Sequence, residues 1–294
     1  AQKKSVVRGV RGTVIYVDPS KLETVNGNPI GKTIEVELRE LRGRVNMMLN
    51  NVSTEMDNEL RQAGGTFFIG MTSKGVRLRL KEGETLDVEF PIWADMEMEL
   101  AYGKRDSVGG VIWKNNGSEF AIKNKPNPAK PVSPEETKEQ EDITKSEYES
   151  YLLAMQEYKR QEAQVATDNK SYQPMPLTKM GWVGAFSKKG SELAKSDIEI
   201  AVTKSEDWER VRFFGVVQGT NGVVSTDFWT GDKGSVYLRN VPQGKEMLIL
   251  GIASKHGQTF LFHQEIITGK NEKIMVEMMP APMEEIRRAI SKGS

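Results

Sequence analysis

Short runs of alternating apolar and polar residues, punctuated by glycine-, asparagine- and proline-bearing turns, limit this chain to a β-rich fold. In residues 33–38, Ile34, Val36 and Leu38 alternate with Glu35 and Glu37; in 76–80, Val76, Leu78 and Leu80 alternate with Arg77 and Arg79. A period of two puts one face of a strand in the core and the other in water. Leu86, Val88 and Phe90 repeat the pattern after Lys81-Glu-Gly-Glu84, so 76–80 and 86–90 are expected to pair as a hairpin around Gly83. Residues 66–71 and 96–102 are further strands, and Asn26-Gly27-Asn28-Pro29 and Gly64-Gly65 are turns. Short strands with closely spaced turns favour a sandwich over a parallel sheet. This pattern fills a first domain, residues 1–123.

It resumes at residue 178. Ile198, Ile200 and Val202 alternate, and 210–218 is almost continuously apolar, as an interior strand would be. Turn signals at Thr220-Asn-Gly222, Gly231-Asp-Lys-Gly234, Pro242-Gln-Gly244, Lys255-His-Gly257 and Gly269-Lys-Asn271 separate strands over 223–228, 235–238, 246–254, 258–267 and 272–278. Roughly seven such strands suggest an immunoglobulin-like sandwich over 178–279. In the tail, 280–294, Glu284 and Glu285 precede Arg287 and Arg288, the order that suits a helix dipole, so a short terminal helix is expected.

The intervening residues, 124–177, differ in composition. Pro126, Pro128, Pro131 and Pro134 remove amide donors and fix φ, which makes 124–134 an extended linker that proteases should cut to release two halves. Ser133-Pro134-Glu135-Glu136 can start a helix, but 135–142 is polar all round and has little to bury. Thr144-Lys-Ser-Glu147 fits a capping box. Tyr148, Tyr151, Leu152, Met155 and Tyr158 then follow at three- and four-residue steps, predicting an amphipathic helix to about residue 166. That stripe either docks a partner or packs on one of the chain's own domains. The fold expected is mainly β: two immunoglobulin-like sandwiches joined by a Pro-rich linker and an amphipathic helix, with a short C-terminal helix.

Composition removes much chemistry. Lys plus Arg and Asp plus Glu both total 41 of 294 residues, so no global charge favours nucleic acid. With no Cys there is no disulfide, thiolate metal site or thiol nucleophile, and with two His, His256 in a turn and His263 in a strand, no histidine metal centre. Nucleophile-elbow, Walker and dinucleotide glycine motifs are missing. Asp57 and Glu59 lack the spacing of a calcium loop. Asp18, Asp57, Glu59, Asp106 and Asp227 are acids at turns or strand ends; sequence spacing does not reveal whether any two face each other across a cleft, as an acid-pair hydrolase requires. Trp93, Trp113, Trp182, Trp208 and Trp229 adjoin strands, where core packing competes with a sugar-stacking platform. The basic clusters at 39–44 and 188–189 are diluted by acids and read as solvated faces. No cofactor or metal is expected.

Several stretches together resemble a known family. These are Gly12-Thr-Val-Ile-Tyr-Val-Asp-Pro-Ser20, Ile34-Glu-Val-Glu-Leu-Arg-Glu-Leu41, Gly64-Gly-Thr-Phe-Phe-Ile-Gly70, Leu78-Arg-Leu-Lys-Glu-Gly83, Val88-Glu-Phe-Pro91, Met98-Glu-Leu-Ala-Tyr-Gly-Lys-Arg-Asp106, Val111-Ile-Trp113 and Met180-Gly-Trp-Val183. The chain is similar to a family of two-domain, largely uncharacterised extracytoplasmic Bacteroidota proteins, whose first domain resembles the β-sandwich module of ankyrins and netrin receptors. It departs from that family after Trp182, reading Gly184-Ala-Phe-Ser-Lys188 where members carry an Asn-Cys-Asp-Arg-Phe run. The resemblance implies export, often as an outer-membrane or cell-surface lipoprotein or to the periplasm, and carries no catalytic residue. Ala1-Gln-Lys-Lys has no apolar signal region, which fits a mature or trimmed chain whose targeting segment, and any lipidated Cys, has been removed.

The function expected is therefore a non-enzymatic binding or scaffolding protein of the cell envelope. The partner is a protein or a cell-surface glycan, with no nucleic acid and membrane contact only through a lipid anchor. The alternatives are carbohydrate binding through exposed Trp, or an acid-pair hydrolase. The candidate partner-binding face is Tyr148, Tyr151, Leu152, Met155 and Tyr158.

Overall fold

The computed structural model describes residues 3–136, 144–204, 207–229, 234–270 and 272–292. The protein is mainly β, with several separate sheets and few helices. A four-stranded sheet joins Ser5–Arg8, Val14–Val17, Leu86–Glu89 and Met175–Leu177. A nine-stranded sheet is centred on the eleven-residue strand Ala63–Ser73. One core cluster lies between the two: Ile15, Val17, Leu86, Val88 and Leu177 meet Phe67, Ile69, Leu100 and Val183. The opposite face of the larger sheet is apolar as well. There Leu41, Met47, Val52, Met56, Trp113, Trp182 and Phe186 cluster, so residues 42–63, including helix α1 (Arg44–Leu49), form its second cover.

The expected hairpin between 76–80 and 86–90 does not form. The turn closes, with Glu84 N donating to Lys81 O at 3.1 Å and Gly83 at φ 77°, but its two strands part. Val76–Leu80 pairs with Leu22–Thr24 and the end of Ala63–Ser73, whereas Leu86–Glu89 pairs with Val14–Val17 and Met175–Leu177. Both strands alternate, and alternation specifies a face without specifying a neighbour. Residues 81–85 are thus a corner between sheets.

The expected boundary at residue 178 and the expected linker are also displaced. Gly181–Ser187 lies inside the nine-stranded sheet, antiparallel to Ala63–Ser73 on one side and Met98–Arg105 on the other. Met175–Leu177 closes the edge of the smaller sheet. The Pro-rich segment and helix α2 (Lys145–Asp168) are therefore an excursion that leaves the first group of strands and returns to it. Its base is tied: Lys125 N donates to Asn169 Oδ1 at 2.9 Å, Asn169 Nδ2 to Lys125 O at 3.1 Å, and Lys125 Nζ pairs with Asp168 at 2.6 Å. Just inside it, Ile122 and Tyr172 form an isolated bridge. Of the expected polar helix over 135–142, the turn Pro134–Glu136 is 3₁₀, and residues 137–143 lie outside the described residues.

The remaining strands form two sheets, one of three strands (Ser235–Pro242, Lys195–Val202, Lys273–Val276) and one of five. The five-stranded sheet runs Gly222–Trp229, Arg210–Val217, Glu246–Lys255, Gln258–Ile267 and Met279–Pro280. Ile198, Ile200 and Leu238 of the first meet Phe213, Phe228 and Ile249 of the second in a common core. The Lys255-His-Gly257 turn is of the primed type that alternating strands need, with His256 at φ 52° and Gly257 at φ 77°. On the outer face of the five-stranded sheet sits the expected C-terminal helix α3 (Met283–Lys292), which buries Ile286, Ala289 and Ile290.

The two groups of strands share packing. Met48 of α1 joins Phe214, Val216, Leu248 and Ile290 in one cluster, and Leu60 enters the other core of the second group. Backbone bonds cross as well: Thr54 N donates to Val223 O at 2.7 Å, and Ala63 N to Asn221 O at 3.2 Å. Residues 42–63 thus cover the first group and dock the second.

Candidate functional site

A cleft of about 370 Å³ opens along this junction. Strand Glu55–Met56 supplies its first carboxyl by simple alternation, Met56 turning into the core and Glu55 out into the cleft. Trp113, paired with Met56, forms a buried wall and donates its indole N–H to Ser53 O at 2.7 Å. Across from it, Arg212 and Asp227 stand directly opposite on neighbouring strands, the register in which opposite charges meet. Asp227 is gripped by two guanidinium groups, Arg212 and, at 2.8 Å, Arg210. Asp106 Oδ1 accepts from the Val108 and Gly110 amides at 3.0 and 2.7 Å, which shapes the loop above the cleft.

Glu55 differs from these. One oxygen accepts from Ser225 N at 3.1 Å, and removal from water pushes its carboxyl up to about 7, against partial opposition from that bond and from Arg212. Three acids singled out in the sequence, Asp57, Asp106 and Asp227, therefore share a cleft with Glu55, which sequence reasoning missed. Nothing local marks Glu55, because the two partners it meets in the cleft, the Ser225 amide and Arg212, come from more than 150 residues along the chain. Asp57 is exposed at φ 52°. Asp18 lies elsewhere, capping a 3₁₀ turn and pairing with Lys4 at 2.8 Å, which draws its carboxyl down to about 2. Glu59 is bound by Lys195 at 2.8 Å and Arg61 at 3.0 Å, and its carboxyl is lowered, chiefly by the Lys195 hydrogen bond.

The five Trp residues do not assemble a sugar platform. Trp113, Trp182 and Trp208 are buried, Trp93 is half-buried against Phe67, and Trp229 is exposed, with Arg210 over its ring at 5.1 Å. His256 and His263 are exposed on a turn and a strand, far apart in the sheet. Arg39 pairs with Glu37 at 2.8 Å, Arg44 donates to Val217 O at 2.8 Å, and Lys188 pairs with Glu97 and Glu119. Among the described residues no group of three or more His, Asp or Glu could hold a metal ion, and no helix is long and apolar enough to cross a membrane.

The second candidate is the arm. Thr144 caps α2 through the predicted box: its side chain accepts from Glu147 N at 3.3 Å and the Glu147 carboxylate accepts from Thr144 N at 3.0 Å. Exposed pairs support the helix further along, including Arg160–Glu157 at 2.8 Å and Gln164–Asp168 at 2.9 Å. No residue of its 24 is buried. Tyr148 and Leu152 are exposed, Tyr151, Met155 and Tyr158 half-exposed, and the Tyr148 and Tyr151 rings lie 6.2 Å apart. The stripe packs against neither group of strands. No family model, curated protein or solved structure matches this chain.

Proposed function

We propose that this chain is a non-enzymatic binding or scaffolding protein of the cell envelope, two immunoglobulin-like sandwiches docked through residues 42–63, with the arm as the element that meets a protein partner. The observation that carries this reading is a 24-residue helix that buries nothing while holding Tyr148, Tyr151, Leu152, Met155 and Tyr158 along one side. Helices in proteins draw most of their stability from a packed face, and α2 has its cap and surface pairs in place of one. Tyr148 and Leu152 of its apolar stripe are exposed, which supports a partner from outside the described residues. The extracytoplasmic location rests on the family resemblance, with any membrane contact made through a lipid anchor. A glycan partner through exposed Trp has less support, since four of the five indoles are turned inward.

A photo-crosslinking residue at Tyr151, in cells that make the protein, should give protein adducts, and the same residue at Arg160, on the other side of α2, should give none. No adduct at Tyr151, or equal adducts at both positions, would refute the assignment.

A second reading, an acid hydrolase in the cleft, is favoured by Glu55, whose carboxyl titrates in the range that suits a general acid. Turnover of a glycan or peptide panel that disappears in Glu55→Gln would establish it. Without turnover, the cleft is an electrostatic contact between the two groups of strands.

A further inference from the structure

A second cleft, of about 350 Å³, opens at the junction and shares no residue with the one around Glu55. Its floor is apolar, with Leu60 from the first group of strands and Val217 and Pro242 from the second, and Met96 and Leu193 stand at its rim, 40% and 44% exposed. Three cations, Arg61, Lys189 and Lys245, line it, and among the described residues no acid does. The geometry points to a binding site for a small organic anion, one carboxylate on an apolar body, about ten non-hydrogen atoms in all. The site is independent of the arm.

The walls are tied in place by hydrogen bonds. Residues 187–193 fold over as a strap: Ser187 Oγ donates to Lys189 O at 2.8 Å, Leu193 N to Ser191 Oγ at 3.2 Å, and Arg61 Nη1 to Ser187 O at 3.2 Å and to Lys188 O. The strap lies so close to its neighbours that a Cβ at Gly190 would come within 3.2 Å of Leu60 O. On the other group of strands, Thr268 fixes the 242–245 turn. Its hydroxyl donates to Pro242 O at 2.6 Å and accepts from Lys245 N at 2.9 Å, while Gly244 takes φ 72°. A cleft built this way loses little freedom when it is filled, and junctions between packed units are where such sites occur.

The charges select the sign of the ligand. Arg61 engages the strap carbonyls and, at 3.0 Å, Glu59, which Lys195 also binds at 2.8 Å, so the nearest acid is doubly offset. Lys189 and Lys245 are exposed, with no ion-pair partner among the described residues. A lysine so placed lays its stem along the wall and keeps its ammonium in water, which makes the mouth of the cleft cationic. Lys188 marks the contrast: it adjoins Lys189 in the sequence but is held by Glu97 and Glu119, so the basic pair divides into one neutralised lysine and one that lines the cleft. A cationic mouth over an apolar floor suits an amphiphilic anion and discriminates against a cation or a neutral chain of the same length. At ~30 Å³ for each water-sized volume the cleft takes about a dozen, which matches an eight-carbon carboxylate.

Octanoate is the probe, titrated into the full chain and followed by calorimetry and by amide NMR shifts, beside 1-octanol, octylammonium and inorganic phosphate. Octanoate should bind with a dissociation constant of about 0.1–1 mM, in keeping with its size, and the other three roughly tenfold or more weakly. The double variant Lys189→Glu, Lys245→Glu should weaken octanoate binding by roughly tenfold or more, and so should Leu193→Asp, with unfolding midpoints kept because all three side chains are exposed. Lys32→Glu with Lys104→Glu makes the same change in net charge at exposed lysines outside the cleft and should bind octanoate as the native chain does.

Octanol bound as tightly as octanoate, or an octanoate affinity unchanged in the Lys189, Lys245 double variant, would overturn the anion assignment. Phosphate that displaced octanoate at equal concentration would overturn the requirement for an apolar body. No octanoate binding at about 5 mM would overturn the site altogether. None of these outcomes bears on the arm, whose photo-adducts at Tyr151 are read separately.

Discussion

Glu55→Gln should stabilise the protein at neutral pH and flatten part of its pH dependence. The Glu55 carboxyl has an ordinary value of 4.5 and is pushed up to about 7 in the folded chain, mainly because the cleft strips it of water. Between those values the folded protein holds a proton that the unfolded chain has released. Stability therefore falls as pH rises through this window: the favourable contribution is complete below about 4.5 and gone above about 7. Each pH unit carries about 1.4 kcal/mol, so ionised Glu55 costs on the order of 3 kcal/mol at pH 8, less whatever water entering the cleft recovers. Glutamine keeps an acceptor for Ser225 N–H and carries no charge. The variant should match the native chain at pH 4.5 and exceed it by about 2–3 kcal/mol at pH 8, roughly 5 °C in Tm for a chain of this size. Calorimetry or urea unfolding at pH 4.5, 6, 7 and 8 reads the difference directly. Other shifted groups lie outside the window, Asp18 near 2 and Tyr16 near 12, and they cancel in the comparison. A gap between the two proteins that stays constant with pH, or a Gln variant less stable at pH 8, would refute the dehydrated-carboxyl account.

Three further outcomes follow from the same packing. Cleavage in the Pro-rich stretch, residues 126–134, should leave a nicked chain that elutes and melts as one particle, because Gly181–Ser187 stays paired with Ala63–Ser73 and Met98–Arg105; separation into two fragments on native gel filtration would contradict that pairing. Met48→Ala should cost about 2–5 kcal/mol in urea unfolding, as a cavity opened between α1, α3 and the five-stranded sheet. Arg212→Met leaves Asp227, whose side chain is 8% exposed, with Arg210 as its remaining ion-pair partner, and should destabilise by about 3 kcal/mol at pH 7; an unchanged midpoint would mean the pair adds nothing to the junction.

What could be read from the chain was whatever adjacent residues decide. Ile198, Ile200 and Val202 announce their strand, Thr144 and Glu147 announce a helix start, and His256-Gly257 announces a tight turn, because period, capping and positive φ are local properties. The paired neighbour of each strand is not local. Residues 76–80 and 86–90 carry the same pattern and are five residues apart, yet they belong to different sheets, since their true partners, Leu22–Thr24 and Val14–Val17, offer equally alternating faces. The same blindness displaced the boundary at 178: a Pro-rich run marks where packing stops, but only the Lys125–Asn169 bonds tell an arm that returns from a linker that departs.

The cleft and the arm fail to announce themselves for opposite reasons. Glu55 looks like any surface glutamate until Ser225 and Arg212 close over it from the other group of strands, so its chemistry is created by a long-range contact. The α2 stripe, by contrast, was fully legible in its spacing, and the open question was what covers it. Among the described residues Tyr148 and Leu152 stay exposed and none along the helix is buried, so the spacing specifies a face without specifying its neighbour, as strand alternation does.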